Sequence, residues 1–392
     1  MTSASTTPRT WLERASVLGS LRSLTRSKAP GRLWPVGTGP HYIDCGLGSY
    51  LYMSEGERLL DMLCGLGAVS LGYSSDPIRS GHVYSLPSTS EILAAEAILE
   101  HVAPWASQVR FVKTGSEACH GAYRIAKRET GRKHVLMGDW AYHGWHEWCE
   151  KRSDGLPEHS GTVLYPHGQR LALPQSSWMD SAVLPHKVAA VFVEPHRWEP
   201  VDIEWLKHLR SWCADAGALL VFDSMIYGGR WHLGGASGYF GIQPDLEVFG
   251  KAIGNGAPIA CIVGNDVLRE HGQIVSGTYS GDALALDAVI STLQAYQREG
   301  VIDWMWARGK QLQRGLQSVC AAYPWAIPEG APVHQRIRFA DEAQGHEFSR
   351  LMMLKGILWH PACANLMRAH TEADIERTVC AVEESLRVMN NG

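Results

Sequence analysis

The 392-residue chain has no block of lysine or arginine, no C-x-x-C pair, no internal repeat and no low-complexity stretch. No apolar run approaches the ~18 residues that a membrane span needs. Each absence removes a class of function. With 36 Lys+Arg against 40 Asp+Glu, the formal charge is −4, which leaves no basic footprint for nucleic acid and no polybasic membrane surface. The opening MTSASTTPRTWLERASVLGSLRS lacks the apolar centre of a secretion signal. The cysteines, Cys45, Cys64, Cys119, Cys149, Cys213, Cys261, Cys320, Cys363 and Cys380, are scattered and odd in number. Free thiols in a reducing compartment suit them better than a disulfide framework. The expectation is a cytoplasmic protein that acts on small molecules, with neither nucleic-acid nor membrane partners.

What is present is an ordinary globular composition, 45% hydrophobic and 19% charged, long enough for a large core and two domains. Residues 1 to about 35 are rich in Ser, Thr and Arg, and GPHYIDCGLGSYLYMSEGERLLDML then alternates like a hairpin. From TSEILAAEAILEHVAP onward, helices alternate with short apolar runs: VRFV (109–112), HVLMGD (134–139), AAVFVEP (189–195), ALLVFDSM (218–225) and LEVFG (246–250). That alternation predicts βαβ units and an α/β fold, with a mostly parallel central sheet flanked by helices. A helix over 303–322, a strand at VHQRIRFA and a last helix opening at Thr371-Glu-Ala-Asp374 in capping-box style follow. The division expected is a tail and hairpin (1–60), a large α/β domain (61–295) and a C-terminal segment (296–392). The two end segments would together form a smaller α+β domain.

In such a sheet, ligands bind beyond the carboxyl ends of the strands. Three strand ends carry polar groups. After VRFV, Lys113-Thr-Gly-Ser-Glu117 runs straight into a helix, and Gly115 and Ser116 there offer backbone N–H groups and a hydroxyl of the kind a phosphate needs. A plain serine cap is the other reading. After ALLVF stands Asp223, either a buried acid with a task or a cap for the next turn. After LEVFG stands Lys251. A lysine there either escapes to water along its stem or has its charge altered by chemistry, because a buried ammonium is costly.

Phosphate cup, buried carboxylate and strand-end lysine, in that order, describe the needs of pyridoxal 5′-phosphate: a phosphate anchor, a partner for the ring nitrogen and an amine for a Schiff base. The stretches VRFVKTGSEACHGAYRIAKRETGR, YHGWHEW, VFVEP, LLVFDSMIYGGRWHLGGASGYFGIQPDLEVFGKAIGNGAPIACIVG and GTYSGDALALDAVISTL resemble the class III aminotransferases of PLP fold type I. Within that family they are most similar to the glutamate-1-semialdehyde aminomutase-like branch. The resemblance implies cofactor-binding roles for Gly115, Ser116, Tyr142 (stacked on the ring), His143, Asp223, Met225 (against the other ring face), Lys251 and Thr278. It implies catalytic roles for Lys251 and Asp223. Thr278 in GTYSG resembles a residue that reaches the cofactor phosphate of a neighbouring subunit, so a homodimer with shared active sites is expected.

Several positions depart from the family. Many relatives read D-E-V where this chain has Asp223-Ser224-Met225, so a carboxylate is missing at 224. The stretch between LGAVSLGYSS and LPSTSEILAAE is short. Arg32 is the one arginine offered for a substrate carboxylate, with a solvated loop arginine as the other reading. Glu194 sits at a strand end without an assigned role, and Trp140, Trp145 and Trp148 crowd the YHG motif, as rim or as core. The resemblance implies amino-group transfer between a small amine and a carbonyl compound, by an aminotransferase or an aminomutase. A decarboxylase or other α-carbon lyase could use the same Lys251 and Asp223, and a non-catalytic binding protein could keep the fold. His143-Gly-Trp-His146 has the spacing of metal ligands but no matching set elsewhere.

Overall fold

A computed structural model describes residues 43–53, 57–67, 69–73, 89–150, 162–165, 185–195, 198 and 202–391. The N-terminal tail, Arg32 and most of the short stretch before Thr89 lie outside the described residues. The chain divides into two compact units, Gly67–Leu71 with Pro77–Trp304, and Met1–Leu66 with Gly72–Asp76 and Met305–Gly392. The divisions fall after residues 66, 71, 76 and 304.

The smaller unit begins as an antiparallel meander, β1 (Ile43–Leu47), β2 (Tyr50–Met53) and β3 (Arg58–Asp61). Gly48, at φ 61°, turns β1 into β2. The larger unit follows with α1 (Thr89–His101), β4 (Gln108–Val112), α2 (Gly115–Thr130), β5 (His134–Gly138), β6 (Thr162–Tyr165) and β7 (Val188–Val193). Next come α3 (Ile203–Ala216), β8 (Leu219–Asp223), α4 (Gly235–Phe240), β9 (Leu246–Gly250), β10 (Ala260–Gly264), α5 (Asp266–His271) and α6 (Ala283–Glu299). The chain then completes the smaller unit with α7 (Val301–Cys320), β11 (Ile327–Ala331), β12 (His334–Arg338), α8 (Glu342–Leu354), β13 (Ile357–Leu358), β14 (Ala364–Asn365) and α9 (Glu372–Asn391). The expected capping box opens α9, with Thr371 and Asp374 exchanging side-chain bonds to each other's backbone N–H. No helix among the described residues is long and apolar enough to cross a membrane.

The seven-stranded sheet of the larger unit runs β4-β10-β9-β8-β7-β5-β6. Neighbours from β9 to β6 are parallel, while β10 is antiparallel to both β9 and β4. The apolar run ACIVG was not anticipated as a strand, because a five-residue run after a glycine-rich turn has no periodicity of its own. Its fully buried place between β4 and β9 makes it one.

Strand alternation sorts the core. Leu219, Val221, Leu246 and Val248 pack with the apolar face of α2, whereas Leu220 and Phe222 pack with α3 and Phe249 packs with α1 and α6. Asp223 therefore belongs to the α2 face of the sheet, and Ser224 and Glu247 to the opposite face.

Candidate active site

The start of α2 is built by its cap. Thr114 Oγ1 accepts from Glu117 N–H at 3.2 Å, and Glu117 Oε2 accepts from Thr114 N–H at 2.9 Å and from Lys113 N–H at 2.8 Å. Thr114 is thus the capping residue, and the Ser116 hydroxyl is not consumed in that role. Two close approaches shape the cup. A Cβ on Gly115 would sit 2.8 Å from Met225 Sδ, and one on Gly250 would sit 2.7 Å from the same sulfur. Gly144, at φ 109°, lies so near Ser116 that a Cβ would fall 2.5 Å from its Oγ. The YHG glycine is therefore required by backbone conformation and by contact with the cup.

Asp223 is buried at the end of β8 and held from three sides, with acceptor capacity left on Oδ1. His143 Nδ1 lies 2.7 Å from its Oδ2, Cys119 Sγ–H donates to the same oxygen at 3.4 Å, and Met225 N–H donates to Oδ1 at 3.0 Å. Burial alone would raise this carboxyl. The bond and charge of His143, the Met225 N–H and the charge of Lys251 outweigh it, and hold the group below the usual carboxylate range. The thiol of Cys119 is pushed well up, by burial first and then by the Asp223 charge, so it remains a neutral donor. His143 is itself buried and braced by rings, 5.5 Å from Phe192 and parallel to Trp148 at 6.3 Å.

Lys251 follows β9 in the left-handed region, at φ 50°, and opens a 3-10 turn over Lys251–Gly254. An L-residue seldom holds that conformation, and such strain gathers at functional sites. Asn255, also left-handed, closes the turn, and its Oδ1 accepts from the backbone N–H of Ser70 at 3.1 Å and Leu71 at 3.0 Å. The lysine turn is thereby pinned to the Gly67–Leu71 segment of the same unit.

Tyr142 is 62% exposed, with its backbone N–H donating to Glu194 Oε2 at 2.9 Å. Its ring is open to lie against a flat ligand, and Glu194 acquires a part as the anchor of that loop. Of the three tryptophans, Trp148 is core, Trp140 packs partly buried against the α3 side, and Trp145 is 67% exposed. His143 and His146 diverge: the second turns to His120, ring centroids 4.6 Å apart. Thr278 is not brought to this cluster within the chain. It is exposed on a turn, four residues before Asp282, whose Oδ2 pairs with Lys113 Nζ at 2.9 Å.

Cys119, Gly144, Asn255 and Glu247 were missed from sequence. Cys119 could have been found by its i+4 spacing from Gly115 on one helix face. Glu247 could have been found as the acid inside LEVFG. It is fully buried, and its Oε1 accepts from Ser224 Oγ–H at 2.5 Å. The carboxylate missing at 224 thus has a counterpart from the neighbouring strand.

The donor set fits a phosphorylated, flat, cationic aldehyde: an anionic acid held ready for a ring N–H, a glycine cup at a helix start, an apolar thioether and a primary amine. The family profile described as "Aminotransferase class-III" matches residues 36–329. The chain belongs to the class III aminotransferase family. It is a PLP-dependent enzyme of amino-group chemistry with the type I fold. A relative named glutamate-1-semialdehyde 2,1-aminomutase, from Thermomicrobium roseum, is 32% identical over 91% of this chain and 93% of its own. The PLP internal aldimine form of the FumI protein of Sphingopyxis sp. MTA144 superposes with a TM-score of 0.86 at 25% identity, covering 97% of this chain and 95% of that one. An omega-transaminase from Sphaerobacter thermophilus shares the fold, with a TM-score of 0.81 at 23% identity over 94% and 95%.

Proposed function

We propose that this family member moves an amino group between a small-molecule amine and a separate small carbonyl compound, with Lys251 as covalent anchor of the cofactor and as proton carrier. The observation that carries the reading is the ionised, buried Asp223, held by His143 and Met225 N–H and within the field of Lys251. When bound, pyridoxal phosphate supplies a ring that takes up the electron pair released at the substrate's α-carbon. Asp223 holds a proton on the ring nitrogen, since a carboxylate kept ionised favours the protonated partner. His143 Nδ1 keeps that carboxylate oriented. With the cofactor bound, the Lys251 amine would be the group that takes up and returns the substrate's α-proton. Gly115 and Ser116 bind phosphate through backbone N–H groups and the hydroxyl, and Tyr142 and Met225 supply flat and apolar contacts.

The test pairs chemistry with labelling. Borohydride treatment of the loaded protein is expected to attach the cofactor at Lys251, and Lys251→Ala to lose turnover by about 10³-fold or more. With a ¹⁵N-labelled donor and an unlabelled carbonyl acceptor, the label is expected in the acceptor. Label retained on one carbon skeleton would make the enzyme an aminomutase, and CO₂ release would make it a decarboxylase.

The same reading extends to assembly and compartment. The exposed Thr278 turn, tied back to the cup by the Lys113–Asp282 pair, supports a homodimer in which Thr278 completes the partner's phosphate site. Thr278→Ala is expected to weaken cofactor retention by ~1.5–3 kcal/mol, and cofactor removal to loosen the dimer. Mass measurement with and without cofactor checks it, and a monomer that binds cofactor fully would end the idea. The scattered cysteines, odd in number and without a C-x-x-C pair, support a reducing, cytoplasmic setting.

A further inference from the structure

Behind the strand ends that carry Asp223 and Lys251 lies a second buried polar cluster that the reaction does not use. Ser224 Oγ–H donates to Glu247 Oε1 at 2.5 Å and accepts from Ala236 N–H at 2.8 Å. Glu247 Oε1 also accepts from Ser237 N–H at 3.2 Å. Ser237 Oγ in turn donates to Gly234 O and accepts from Trp105 Nε1–H at 3.0 Å. Gly235, at φ 62°, makes the cluster possible, because a Cβ there would meet Ser224 Oγ at 2.6 Å and Glu247 Oε1 at 2.7 Å.

The cluster sits where β8 leaves the sheet. Ladder pairing of β8 with β9 ends at Asp223 opposite Val248, and the next tie is Ser224 N–H to Val248 O at 3.0 Å. The Ser224 side chain adds a second tie to β9 at the residue before Val248. Ser224 is adjacent to Asp223, and Glu247 is four residues before Lys251, so this double tie sets how the two strand ends lie side by side.

The surroundings decide the charge on Glu247. It is fully buried, its Oε2 has no hydrogen-bond partner among the described residues, and Oε1 meets only neutral donors. Cys261 of β10 feels the charge of Glu247 without bonding to it, and Asp223 of β8 belongs to the opposite face of the sheet. Among the described residues no cation bonds to Glu247, and a buried uncompensated charge is far more costly than a buried acid. Burial accordingly pushes the carboxyl up to about 7, against the lowering effect of Ser224 and Ser237.

We propose that Ser224 and Glu247 are a positioning pair that works in the neutral form, hydroxyl to protonated acid, and keeps the ends of β8 and β9 in the alignment that Asp223 and Lys251 require. The functional half of this statement rests on the roles given above to those two residues. The structural half does not.

Sign follows from the raised value. The proton stabilises the fold fully below the carboxyl's ordinary pKa, and that stabilisation is lost as pH rises through about 7. The test uses Ser224→Ala, Glu247→Ala and Glu247→Gln in the full chain. Glutamine reproduces the neutral acid's acceptor and shape, so it is the rescue variant. The first arm is melting of cofactor-free protein, which needs no turnover. Between pH 6 and pH 9 the parent midpoint is expected to fall about 2–4 °C more than that of Glu247→Gln. The second arm is kinetic. Ser224→Ala and Glu247→Ala are expected to lower kcat about tenfold, the worth of one hydrogen bond, with KM within about twofold, while Glu247→Gln restores kcat. Equal pH dependence of melting in parent and Glu247→Gln, or a glutamine variant as damaged as the alanine one, overturns the proposal. A normal melting arm with full activity in Ser224→Ala overturns the positioning role. If Lys251→Ala remains active while the melting arm holds, the catalytic assignment falls and the neutral pair stands.

Discussion

Asp223 and Glu247 stand on neighbouring parallel strands, both shut away from water, one on each face of the sheet, and they hold their protons in opposite ways. Burial raises both carboxyls. On the α2 face an imidazole, a backbone N–H and a nearby ammonium reverse the effect at Asp223. On the other face the neutral donors of Ser224 and Ser237 are too weak to reverse it at Glu247. Depth in the protein therefore does not set a carboxylate's charge. The charge type of its partners does, because hydrogen bonds from neutral donors recover only part of an ion's lost hydration. One face is prepared to stabilise a cation and the other to remain neutral.

The same substitution on each face should break that symmetry. Asp223→Asn is expected to leave cofactor bound but to lower turnover about 10²–10³-fold, the usual cost of removing one group aimed at developing charge, whereas Glu247→Gln is expected to be tolerated. Stability should diverge as well. The lowered carboxyl of Asp223 contributes stability above its ordinary pKa and loses it as pH falls through the lower folded value. Asp223→Asn protein should therefore lose less on acidification than the parent in a melting series taken below about pH 4. Wild-type turnover in Asp223→Asn would remove the contrast altogether.

A smaller effect separates the two glycine approaches. Gly144 and Gly235 both lie in the left-handed region, one against Ser116 on the cup, the other against Ser224 and Glu247. Alanine at either costs about 1–2 kcal/mol in conformation alone, about a tenfold change in an equilibrium. Gly144→Ala should show that loss chiefly in cofactor affinity, followed by titration of the cofactor-free protein. Gly235→Ala should show it in the melting midpoint with or without cofactor. If both variants changed affinity and melting alike, the two faces would not be separable functions.

Much of the α2 face was legible from residue order. Lys251 and Asp223 are conspicuous because each is a charged group at the end of a short, mostly apolar run, and Gly115-Ser116 because glycine and hydroxyl open an amphipathic helix. Met225 came with the motif, and the structure gives it a physical place, its sulfur filling the space that Gly115 and Gly250 leave. The other face was illegible. Ser224 reads as a lost carboxylate only while the sequence is taken one stretch at a time, since Glu247 lies 23 residues further on in a strand whose other members are apolar.

The sequence by itself determined the alternation of strands and helices, the strand ends that carry polar groups and the cofactor of the family. These follow from local properties: apolar periodicity, helix capping and the cost of a charge at the end of a buried run. Only the tertiary structure decided that β10 enters the sheet antiparallel between β4 and β9, and that His143 and Cys119 close on Asp223 from 80 and 104 residues away. It alone put Glu247 beside Ser224, with no cation bonded to it among the described residues. Period-two alternation assigns a side chain to one face of a strand, but its neighbours on that face come from strand order and register, and those are set by the packing of the whole sheet.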